Sequence, residues 1–460
     1  MIAGARPNLA GGGSSDLAGV RPAARLRGAP GLPGDKSISH RALLLAALAE
    51  GESMIRGAGD GADVRTTAGL VASLGAEVLR GASDGRRVDY RIVSPGIDRL
   101  HEADGILDCG NSGTTTRLAA GILAGLPGYH VLDGDGSLRR RPLARIIEPL
   151  REMGAEVHAR RGNSLLPMTV IGHTPLLAID VRTAVPSAQV KSAILLAGLR
   201  ADGRTTVREA AATRDHTERM LRARGVAVIS ARTGDDEAMV SLEGGVRVRA
   251  IDQDVPADPS AAAFWLVAGA IHPDAELRLE RVGLNPTRRA LIDLLRTMGA
   301  RIDEQATGDP GEPDEAMVGE PLADLTVRSS ELRAISLGPD DVARAIDEIP
   351  VLCLAATQAR GTTTIQGAGE LRAKESDRIA GIVEGLAALG ATISAEGGTL
   401  TITGPTRLHG GLTDSHSDHR LAMTFAVAGL IATGATSISD PACAAISYPG
   451  FFAELEGVRA

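Results

Sequence analysis

The chain has 460 residues, of which 43% are hydrophobic and 23% charged, a composition typical of a folded protein and a length typical of two domains. Its net charge of −8 and its 2% of aromatic residues argue against a nucleic-acid-binding protein, because such proteins need a basic surface and stacking side chains. No apolar stretch approaches the roughly 18 residues of a membrane span. Cys109, Cys353 and Cys443 have no metal-site spacing, and we expect a cytoplasmic protein.

The first residues predict a disordered tail. They are rich in Gly, Ala, Arg and Pro and lack the apolar core of a signal peptide. Arg6, Arg21, Arg25 and Arg27 outnumber Asp16, so an organellar transit peptide is the alternative interpretation. We assign residues 1–20 to the tail and begin the folded part of the chain at residue 21.

The segment KSISHR at 36–41 predicts an anion-binding helix start. It places Lys36, Ser37 and Arg41 near the first turn of a helix, where unpaired N–H groups and the helix dipole already favour anions. Four other polar segments likewise precede apolar helical runs, at 111–114, 187–191, 375–378 and 418–420. Five such helix starts predict one shared anion site.

A repeated pattern predicts the architecture. An amphipathic helix leads into a Gly-Ala pair and a short apolar strand at 74–78, 153–157, 298–302 and 389–393, with degenerate copies at 224–228 and 456–458. The glycines are 67 to 91 residues apart, and each can end a helix in the left-handed conformation. The pattern therefore predicts six copies of one supersecondary unit, with strands in stretches such as 168–171 and 400–403.

Two chain crossings divide these six units between two domains. Prolines at 256 and 259 interrupt regular structure before a predicted helix at 261–271, and a Pro-Gly pair stands at 33–34. We predict one domain of residues 35–254, with repeats 1–3. The second domain comprises residues 21–34 plus 255–460, with repeats 4–6.

The polar motifs resemble those of the 3-phosphoshikimate 1-carboxyvinyltransferases, or 5-enolpyruvylshikimate-3-phosphate synthases, of the enolpyruvyl transferase family. The shared motifs, in the family's order, are GDKSISHR at 34–41, GNSGT at 110–114, RP at 141–142, SAQ at 187–189, IDE at 346–348, KESDR at 374–378 and DHR at 418–420. The resemblance covers nearly everything after residue 34. It implies an α/β fold in which each of two domains packs three βαβαββ units into an inside-out prism, with the site in the cleft between them.

The resemblance implies a transferase of the shikimate pathway, which leads to chorismate and the aromatic amino acids. The enzyme would move the enolpyruvyl group of phosphoenolpyruvate to the 5-hydroxyl of shikimate 3-phosphate and release phosphate, without a metal or an organic cofactor. The resemblance also implies inhibition by glyphosate and a monomeric state. Two phosphates and two carboxylates would share the cleft, so several fixed cations are required, and Arg is favoured for its bidentate geometry.

Each motif residue receives a role by resemblance. The acid–base candidates are Asp347, Glu375 and Lys36. The phosphoenolpyruvate contacts are Lys36, Asn111, Gly113, Arg141, Gln189, Arg378 and Arg420. The shikimate 3-phosphate contacts are Lys36, Ser37, Arg41, Ser187, Ala188, Gln189, Arg214, Asp347 and Lys374. Orienting roles fall to His40, His216 and His419.

Two positions depart from the family pattern, and three alternative interpretations stay open. Ile446 stands where many members carry a Lys, and Glu370 where an Asn often binds the phosphate of shikimate 3-phosphate. The sister UDP-N-acetylglucosamine enolpyruvyltransferases use a Cys just ahead of an Arg-Pro pair, and 136–142 contains none. A P-loop nucleotide-binding protein needs Gly directly before its Lys, and Asp35 stands there instead. A non-catalytic repeat scaffold would make the polar helix starts incidental caps.

Overall fold

The computed structural model describes residues 17–232, 237–307 and 319–460. Its first strand, β1 (Leu17–Val20), pairs antiparallel with Thr436–Ser439 near the end of the chain. The predicted disordered tail is therefore wrong for these four residues, because strand pairing and the buried Val20 side chain hold them in a sheet. Residues 1–16 of that predicted tail lie outside the described residues.

The other helices and strands lie on either side of residue 254, which divides the chain into a first half and a second half. Up to residue 254 they are β2 (Leu26–Gly28), α1 (Lys36–Leu48), β3 (Glu50–Gly59), α2 (Ala62–Ser73), β4 (Glu77–Ser83), β5 (Arg87–Pro95), β6 (Leu107–Asp108), α3 (Gly113–Ala124), β7 (Gly128–Asp133), α4 (Ala144–Glu152), β8 (Glu156–Ala159), α5 (Arg160–Asn163), β9 (Leu165–Gly172), β10 (Leu176–Leu177), β11 (Asp180–Arg182), α6 (Ala188–Gly198), β12 (Ala201–Asp202), β13 (Arg204–Glu209), α7 (His216–Ala223), β14 (Val228–Arg232), β15 (Ala238–Glu243) and β16 (Gln253–Asp254). After it they are α8 (Pro259–Ile271), β17 (Ala275–Gly283), α9 (Ala290–Thr297), β18 (Arg301–Ala306), β19 (Leu322–Arg328), β20 (Ser336–Leu337), α10 (Pro339–Arg344), α11 (Ile349–Gln358), β21 (Gly361–Ile365), α12 (Arg378–Ala388), β22 (Thr392–Glu396), β23 (Thr399–Gly404), β24 (Leu412–Thr413), α13 (His419–Gly429), β25 (Thr436–Ser439) and α14 (Phe451–Gly457).

Five four-stranded sheets repeat one topology, and a sixth, three-stranded sheet repeats its first three strands. Within the described ranges, their strand orders are β16-β3-β5-β4, β6-β7-β9-β8, β11-β13-β15-β14, β2-β17-β19-β18, β20-β21-β23-β22 and β24-β25-β1. In each, the first two strands are parallel and the other pairs are antiparallel; β6, for example, runs parallel to β7, whereas β9 is antiparallel to both β7 and β8. The predicted sixfold repeat is confirmed.

Two strands complete units that lie far from them in sequence. β16 joins β3, with Gln253 opposite Ile55, and β2 joins β17, with Leu26 opposite Ala275. The two connecting segments therefore run side by side. The backbone N–H of Asp35 donates to the carbonyl of Pro256 (2.8 Å) and that of Asp258 to the carbonyl of Pro33 (3.0 Å).

Left-handed glycines end five of the six predicted helices. Their φ angles are 102° at Gly75, 98° at Gly154, 83° at Gly225, 101° at Gly299 and 91° at Gly390. A residue with a Cβ rarely adopts this backbone, which explains the repeated glycine. The sixth prediction is wrong: Gly457 lies inside α14, since the backbone stays helical through Val458 and no further strand follows.

Buried apolar side chains form two clusters. The first half of the chain supplies one, from Ile38 to Val255, and residues 257–458 supply the other together with Val20, Leu26 and Leu32. Helices α1, α3 and α6 in one cluster, and α8, α11 and α13 in the other, are buried on nearly every side. A side chain at Gly121 of α3 would collide with the backbone of Ala193 in α6, so these two helices pack closely and their first turns lie together.

Candidate active site

Each of the five polar segments caps the start of a helix, as predicted. The N-cap residues are Asp35 of α1, Ser112 of α3, Ser187 of α6, Asp377 of α12 and Asp418 of α13, and each side chain accepts a hydrogen bond from a backbone N–H of the first turn. The remaining N–H groups and the positive end of each helix dipole make these first turns favourable places for anions.

All five of these helix starts contribute to the wall of one cavity of about 270 Å³. Ten Lys and Arg side chains line it, against five Asp and Glu side chains. Every residue assigned to substrate or catalysis lines it except Asn111: Lys36, Ser37, Arg41, Gly113, Arg141, Ser187, Ala188, Gln189, Arg214, Asp347, Lys374, Glu375, Arg378 and Arg420. An enclosed site with this excess of cations suits ligands that carry several negative charges.

Lys36, the first residue of α1, connects the two halves of the chain. Its Nζ lies 3.1 Å from Oδ2 of Asp63, and its backbone N–H donates to Oδ2 of Asp258 in the second half (3.0 Å). The side chain is about one-fifth exposed. It is therefore held at the cavity surface with access to a ligand.

Arg41 stands further along α1 and is buried. Its Nε donates to Thr217 (2.7 Å), its Nη2 to Ser192 (2.9 Å) and its Nη1 to the carbonyl of Ser37 (3.0 Å). Burial lowers the pKa of Arg41 to about 10, which leaves the side chain charged at neutral pH. All three hydrogen-bond partners are neutral, so they fix the guanidinium without cancelling its charge.

Asn111 fixes the Arg141 side chain through two hydrogen bonds. Its Nη2 donates to Oδ1 of Asn111 (2.5 Å) and its Nη1 to the carbonyl of the same residue (3.1 Å), while Nδ2 of Asn111 donates to Asp135 (2.5 Å). This position explains why Asn111 does not line the cavity. Its contact with the site passes through Arg141.

Asp347 lies among four cations. Its Oδ2 is 2.7 Å from Arg214, which comes from the first half of the chain, and 3.9 Å from Arg420; its Oδ1 is 3.4 Å from Lys374 and 3.5 Å from Arg378. Burial by itself raises the pKa of this carboxyl, but the four positive charges outweigh it and hold the pKa well below its ordinary value. Asp347 is therefore ionised at neutral pH.

Glu375 and Asp418 share Arg378. Nη2 of Arg378 lies 2.6 Å from Oε2 of Glu375, and its Nε lies 2.7 Å from Oδ2 of Asp418. Arg141 approaches the other oxygen of Glu375 at 3.7 Å. Burial opposes ionisation, yet Arg378 and the other nearby positive charges hold the pKa of Glu375 well below its ordinary value.

A buried ion cluster at the cavity wall was not predicted from the sequence. Nη2 of Arg288 donates to Oγ of Ser260 (2.7 Å) and lies 3.4 Å from Asp258, and its Nη1 lies 3.5 Å from Asp35. Ser260 in turn donates to Glu348. Asp258 caps α8 as the other N-caps do, so the segment 258–260 carried a signal that could have identified it; Arg288 lies in no such motif.

Arg117 was also missed, although its sequence position contained a signal. It lies one helical turn after Gly113 on α3 and lines the cavity. Its Nη1 donates to Oε1 of Gln189 (3.0 Å) and to the carbonyl of Gly113 (3.3 Å), and its Nη2 donates to the carbonyl of Pro142 (3.1 Å).

The two positions that depart from the family pattern have different surroundings. Glu370 lines the cavity and pairs with Arg145 of the first half through two contacts, at 3.1 and 3.3 Å, on the exposed rim. Ile446 is not among the cavity-lining residues, and it ends the 3₁₀ helix Pro441–Ile446.

The three histidines differ in their access to the cavity. His419 lines it, and burial lowers the pKa of this ring to about 3, so it is neutral at neutral pH. The Nδ1 of His40 lies 2.6 Å from Thr67, and that of His216 lies 2.7 Å from Glu320. Neither of these two rings lines the cavity, and the orienting roles stay predictions.

The described residues contain neither a cluster of metal-ligand side chains nor a membrane-spanning helix. In residues 17–232, 237–307 and 319–460, no three His, Cys, Asp or Glu side chains are grouped as a metal site would require. Nor does that part of the chain contain a helix of sufficient length and apolarity to cross a membrane.

Six α/β repeats and a cation-rich cavity at their polar helix starts are the features of an enolpyruvyl transferase fold. A family model for EPSP synthase (3-phosphoshikimate 1-carboxyvinyltransferase) matches residues 20–455. The 3-phosphoshikimate 1-carboxyvinyltransferase of Gloeobacter violaceus is 50% identical over 441 residues, 96% of this chain and 98% of that protein. That of Bacillus thuringiensis (strain Al Hakam) is 45% identical over 425 residues, 92% and 95% of the two chains. A solved EPSP synthase structure from Acinetobacter baumannii has a TM-score of 0.83 at 37% identity and covers 96% of this chain and 98% of that one.

This chain belongs to the EPSP synthase family. The predicted fold class and transferase class are confirmed, and so is the predicted reaction: transfer of the enolpyruvyl group of phosphoenolpyruvate to shikimate 3-phosphate in the shikimate pathway. The match, over nearly the whole chain, argues against the sister family, the P-loop protein and the non-catalytic scaffold.

Proposed function

We propose that the cavity binds phosphoenolpyruvate and shikimate 3-phosphate side by side and is the place of the EPSP synthase reaction. The observation that carries this proposal is the set of ten cations around one cavity, with two ionised carboxylates, Asp347 and Glu375, among them. The substrates together bring two phosphates and two carboxylates, so they match this excess of positive charge.

Shikimate 3-phosphate is assigned to the side formed by α1 and α6. The contacts are Lys36, Ser37, Arg41, Ser187, Ala188, Gln189, Arg214, Asp347 and Lys374. Arg41 supports this assignment best, because its neutral partners leave its positive charge for the phosphate. Arg214 and Lys374 stand on either side of Asp347 and can reach the phosphate or hydroxyl groups of the same ligand.

Phosphoenolpyruvate is assigned to the side formed by α3, α12 and α13. The contacts are Lys36, Gly113, Arg141, Gln189, Arg378 and Arg420, with Asn111 acting through Arg141. The first turn of α3 offers backbone N–H groups beside Arg141, a setting that favours phosphate. Arg378 and Arg420 line the cavity together, 3.5 and 3.9 Å from Asp347, and are assigned to the carboxylate.

Proton transfer is assigned to Asp347, Glu375 and Lys36. Addition of the 5-hydroxyl requires a base for the hydroxyl proton and an acid for the methylene carbon, and elimination then removes a proton from that carbon. Asp347 is ionised and serves as the base. Glu375 is also ionised before the ligands bind, so Lys36 is the better initial donor and Glu375 the acceptor during elimination.

The two halves of the chain are proposed to be domains that close on the ligands. The division at residues 34–35 and 254–255 is supported by the two buried clusters. Arg214–Asp347, Arg141–Glu375 and Arg145–Glu370 are ion pairs between the halves. A ligand that binds cations of both halves favours the closed arrangement, so small-angle scattering should record a smaller radius of gyration with shikimate 3-phosphate.

Glyphosate is proposed to compete with phosphoenolpyruvate for the side of the cavity formed by α3, α12 and α13. A monomer is proposed because side chains of a single chain surround the cavity. A cytoplasmic location is also proposed. Inhibition kinetics and sedimentation test the first two statements, and fractionation of cells that produce the full chain tests the third.

The deciding experiment measures phosphate release. The proposal predicts release that depends on both phosphoenolpyruvate and shikimate 3-phosphate and is strongly reduced by Asp347→Asn and by Arg378→Ala. Arg204 is exposed and does not line the cavity, so Arg204→Lys is the control and should behave as the unmodified protein. Full activity in both cavity variants would place the reaction elsewhere.

A further inference from the structure

Arg117 connects three parts of the cavity wall. From the second turn of α3 its guanidinium reaches the carbonyl of Gly113 on its own helix, the carbonyl of Pro142 and the side chain of Gln189 on α6. Burial, and then the neighbouring Arg141, lower its pKa to about 10, so the group is charged at neutral pH. Its contacts are with neutral oxygens, and it is therefore a rigid, positively charged connection between α3 and α6.

This connection determines which end of the Gln189 amide is turned towards Arg117. A guanidinium has only donors, so the atom of Gln189 that it meets must be the carbonyl oxygen, Oε1. Nε2 of Gln189 then donates one hydrogen to Oγ1 of Thr114 (2.9 Å), which leaves its second hydrogen for another acceptor. Gln189 lines the cavity, and with this orientation it can offer N–H rather than C=O to an anion.

The same guanidinium occupies the space beside Gly113. A Cβ at this position would lie 2.5 Å from Nη1 of Arg117 and 3.5 Å from Nη1 of Arg141. Gly113 has no positive φ, so its backbone accepts alanine. Since Nη1 is the far end of a flexible side chain, an added methyl would displace Arg117 rather than unfold the helix, and the hydrogen bond to Gln189 would be lost.

We propose that Arg117 is a positioning residue that orients the Gln189 amide towards bound anions. The inference rests on the proposed assignment of Gln189 to the binding site. It concerns phosphoenolpyruvate, shikimate 3-phosphate and glyphosate alike, because each would present an anionic group to the same N–H. Arg117 itself need not touch any of them.

A double-mutant cycle that combines changes at Arg117 and Gln189 tests the positioning role. Arg117→Lys keeps the charge but cannot donate in three directions with a planar fork. For a substrate that Gln189 binds, we expect the KM of the Arg117→Lys enzyme to be about tenfold higher. The kcat should change little, because the lost contact is equally strong in the ground state and in the transition state. In a Gln189→Ala background the same change should add less than about twofold. Equal effects of Arg117→Lys in both backgrounds would overturn the positioning role. Arg117→Gln replaces the lysine variant should that protein not fold.

Gln189→Ala by itself separates the inference from the proposal on which it rests. Unchanged KM values for both substrates would show that Gln189 is not a ligand contact, and both statements would be wrong. Higher KM values in Gln189→Ala, combined with unchanged values in Arg117→Lys and Arg117→Gln, would retain the site and reject the role of Arg117. Higher KM values in all three, without additivity, support the inference.

Discussion

Three arginines at the cavity, two from the first half and one from the second, are held in two different ways. In the first half, Arg41 and Arg117 donate to hydroxyl, amide and carbonyl oxygens, and burial lowers the pKa of each to about 10. In the second half, Arg378 is paired with Glu375 and Asp418, and these carboxylates raise its pKa despite burial. Both sets line one cavity at the starts of structurally equivalent helices.

The difference separates binding from chemistry. A cation held by neutral oxygens keeps its full charge for a ligand, and it gains more from an arriving phosphate than a cation already paired with a carboxylate. A cation paired with carboxylates instead keeps them ionised and oriented, which an acid–base site requires. Under the proposed roles, the first half mainly binds phosphate and supplies Lys36 as a proton donor, while the second half binds carboxylate and holds the acid–base carboxylates Asp347 and Glu375.

The largest expected effect follows removal of a carboxylate from the second half. Asp347→Asn keeps the shape of the side chain but cannot accept a proton, so turnover should fall by roughly 10²–10⁴. Calorimetric titration should show shikimate 3-phosphate binding of similar or greater strength, because a negative charge near the ligand is removed. A turnover within tenfold of the unmodified enzyme would reject Asp347 as the base.

The second effect compares one arginine from each half. Arg378→Ala leaves Glu375 and Asp418 without their partner and should weaken phosphoenolpyruvate by about 2–5 kcal/mol. Arg41→Ala leaves only neutral oxygens unpaired and should weaken shikimate 3-phosphate by about 1.5–3 kcal/mol. Titration of each variant with each ligand checks this assignment. If Arg378→Ala instead weakened shikimate 3-phosphate and Arg41→Ala weakened phosphoenolpyruvate, the proposed sides of the cavity would be wrong.

The third effect concerns pH and stability. Because the folded state depresses the pKa of Asp347, its ionised form contributes stability above the unfolded value of about 4, and this contribution is lost as the pH falls through the folded value. The stability difference between the unmodified protein and Asp347→Asn should therefore shrink on acidification below about pH 4. Urea unfolding at several pH values measures it. Ser192→Ala, which removes a neutral partner of Arg41, is the control and should show a nearly constant difference.

The smallest effect compares the repeat glycines of the third and sixth repeats, Gly225 and Gly457. Gly225 has a φ of 83°, and a Cβ there would lie 2.6 Å from Arg249, so Gly225→Ala should cost about 1 kcal/mol or more. Gly457 is helical with open space beside it, and Gly457→Ala should be neutral or stabilise by up to about 1 kcal/mol. Equal losses in thermal unfolding would contradict the difference between the third and sixth repeats.

Local patterns were sufficient to predict the repeat and the helix starts. Left-handed glycines such as Gly75 and Gly390 leave a sequence signal because residues with a Cβ rarely adopt φ angles near 100°. Capping residues such as Ser112 and Asp418 also leave a sequence signal, because a side-chain oxygen must accept a hydrogen bond from a backbone N–H of the first turn. Val20 illustrates the limit: its strand depends on pairing with residues 436–439, which no local pattern records.

The site was predictable where chemistry requires a fixed residue type in a motif. The family motifs contain Lys36, Asp347 and Arg378, and the structure places all three at one cavity. Arg288 was missed because its partners, Asp35 and Asp258, come from distant segments that meet only in the folded chain. Whether a motif residue lines the cavity or supports another, as Asn111 supports Arg141, also depends on packing.

Exchange of solvent deuterium into the methylene group of phosphoenolpyruvate tests the central claim most directly, because it observes proton transfer to carbon apart from binding. The account predicts that Glu375→Gln, with shikimate 3-phosphate bound at near-normal affinity, exchanges at least about a hundredfold more slowly than the unmodified enzyme. Arg41→Lys, a change in the first half, should exchange at a normal rate once saturated with ligand. Normal exchange in Glu375→Gln together with slow exchange in saturated Arg41→Lys would contradict the assignment of the acid–base carboxylates to the second half.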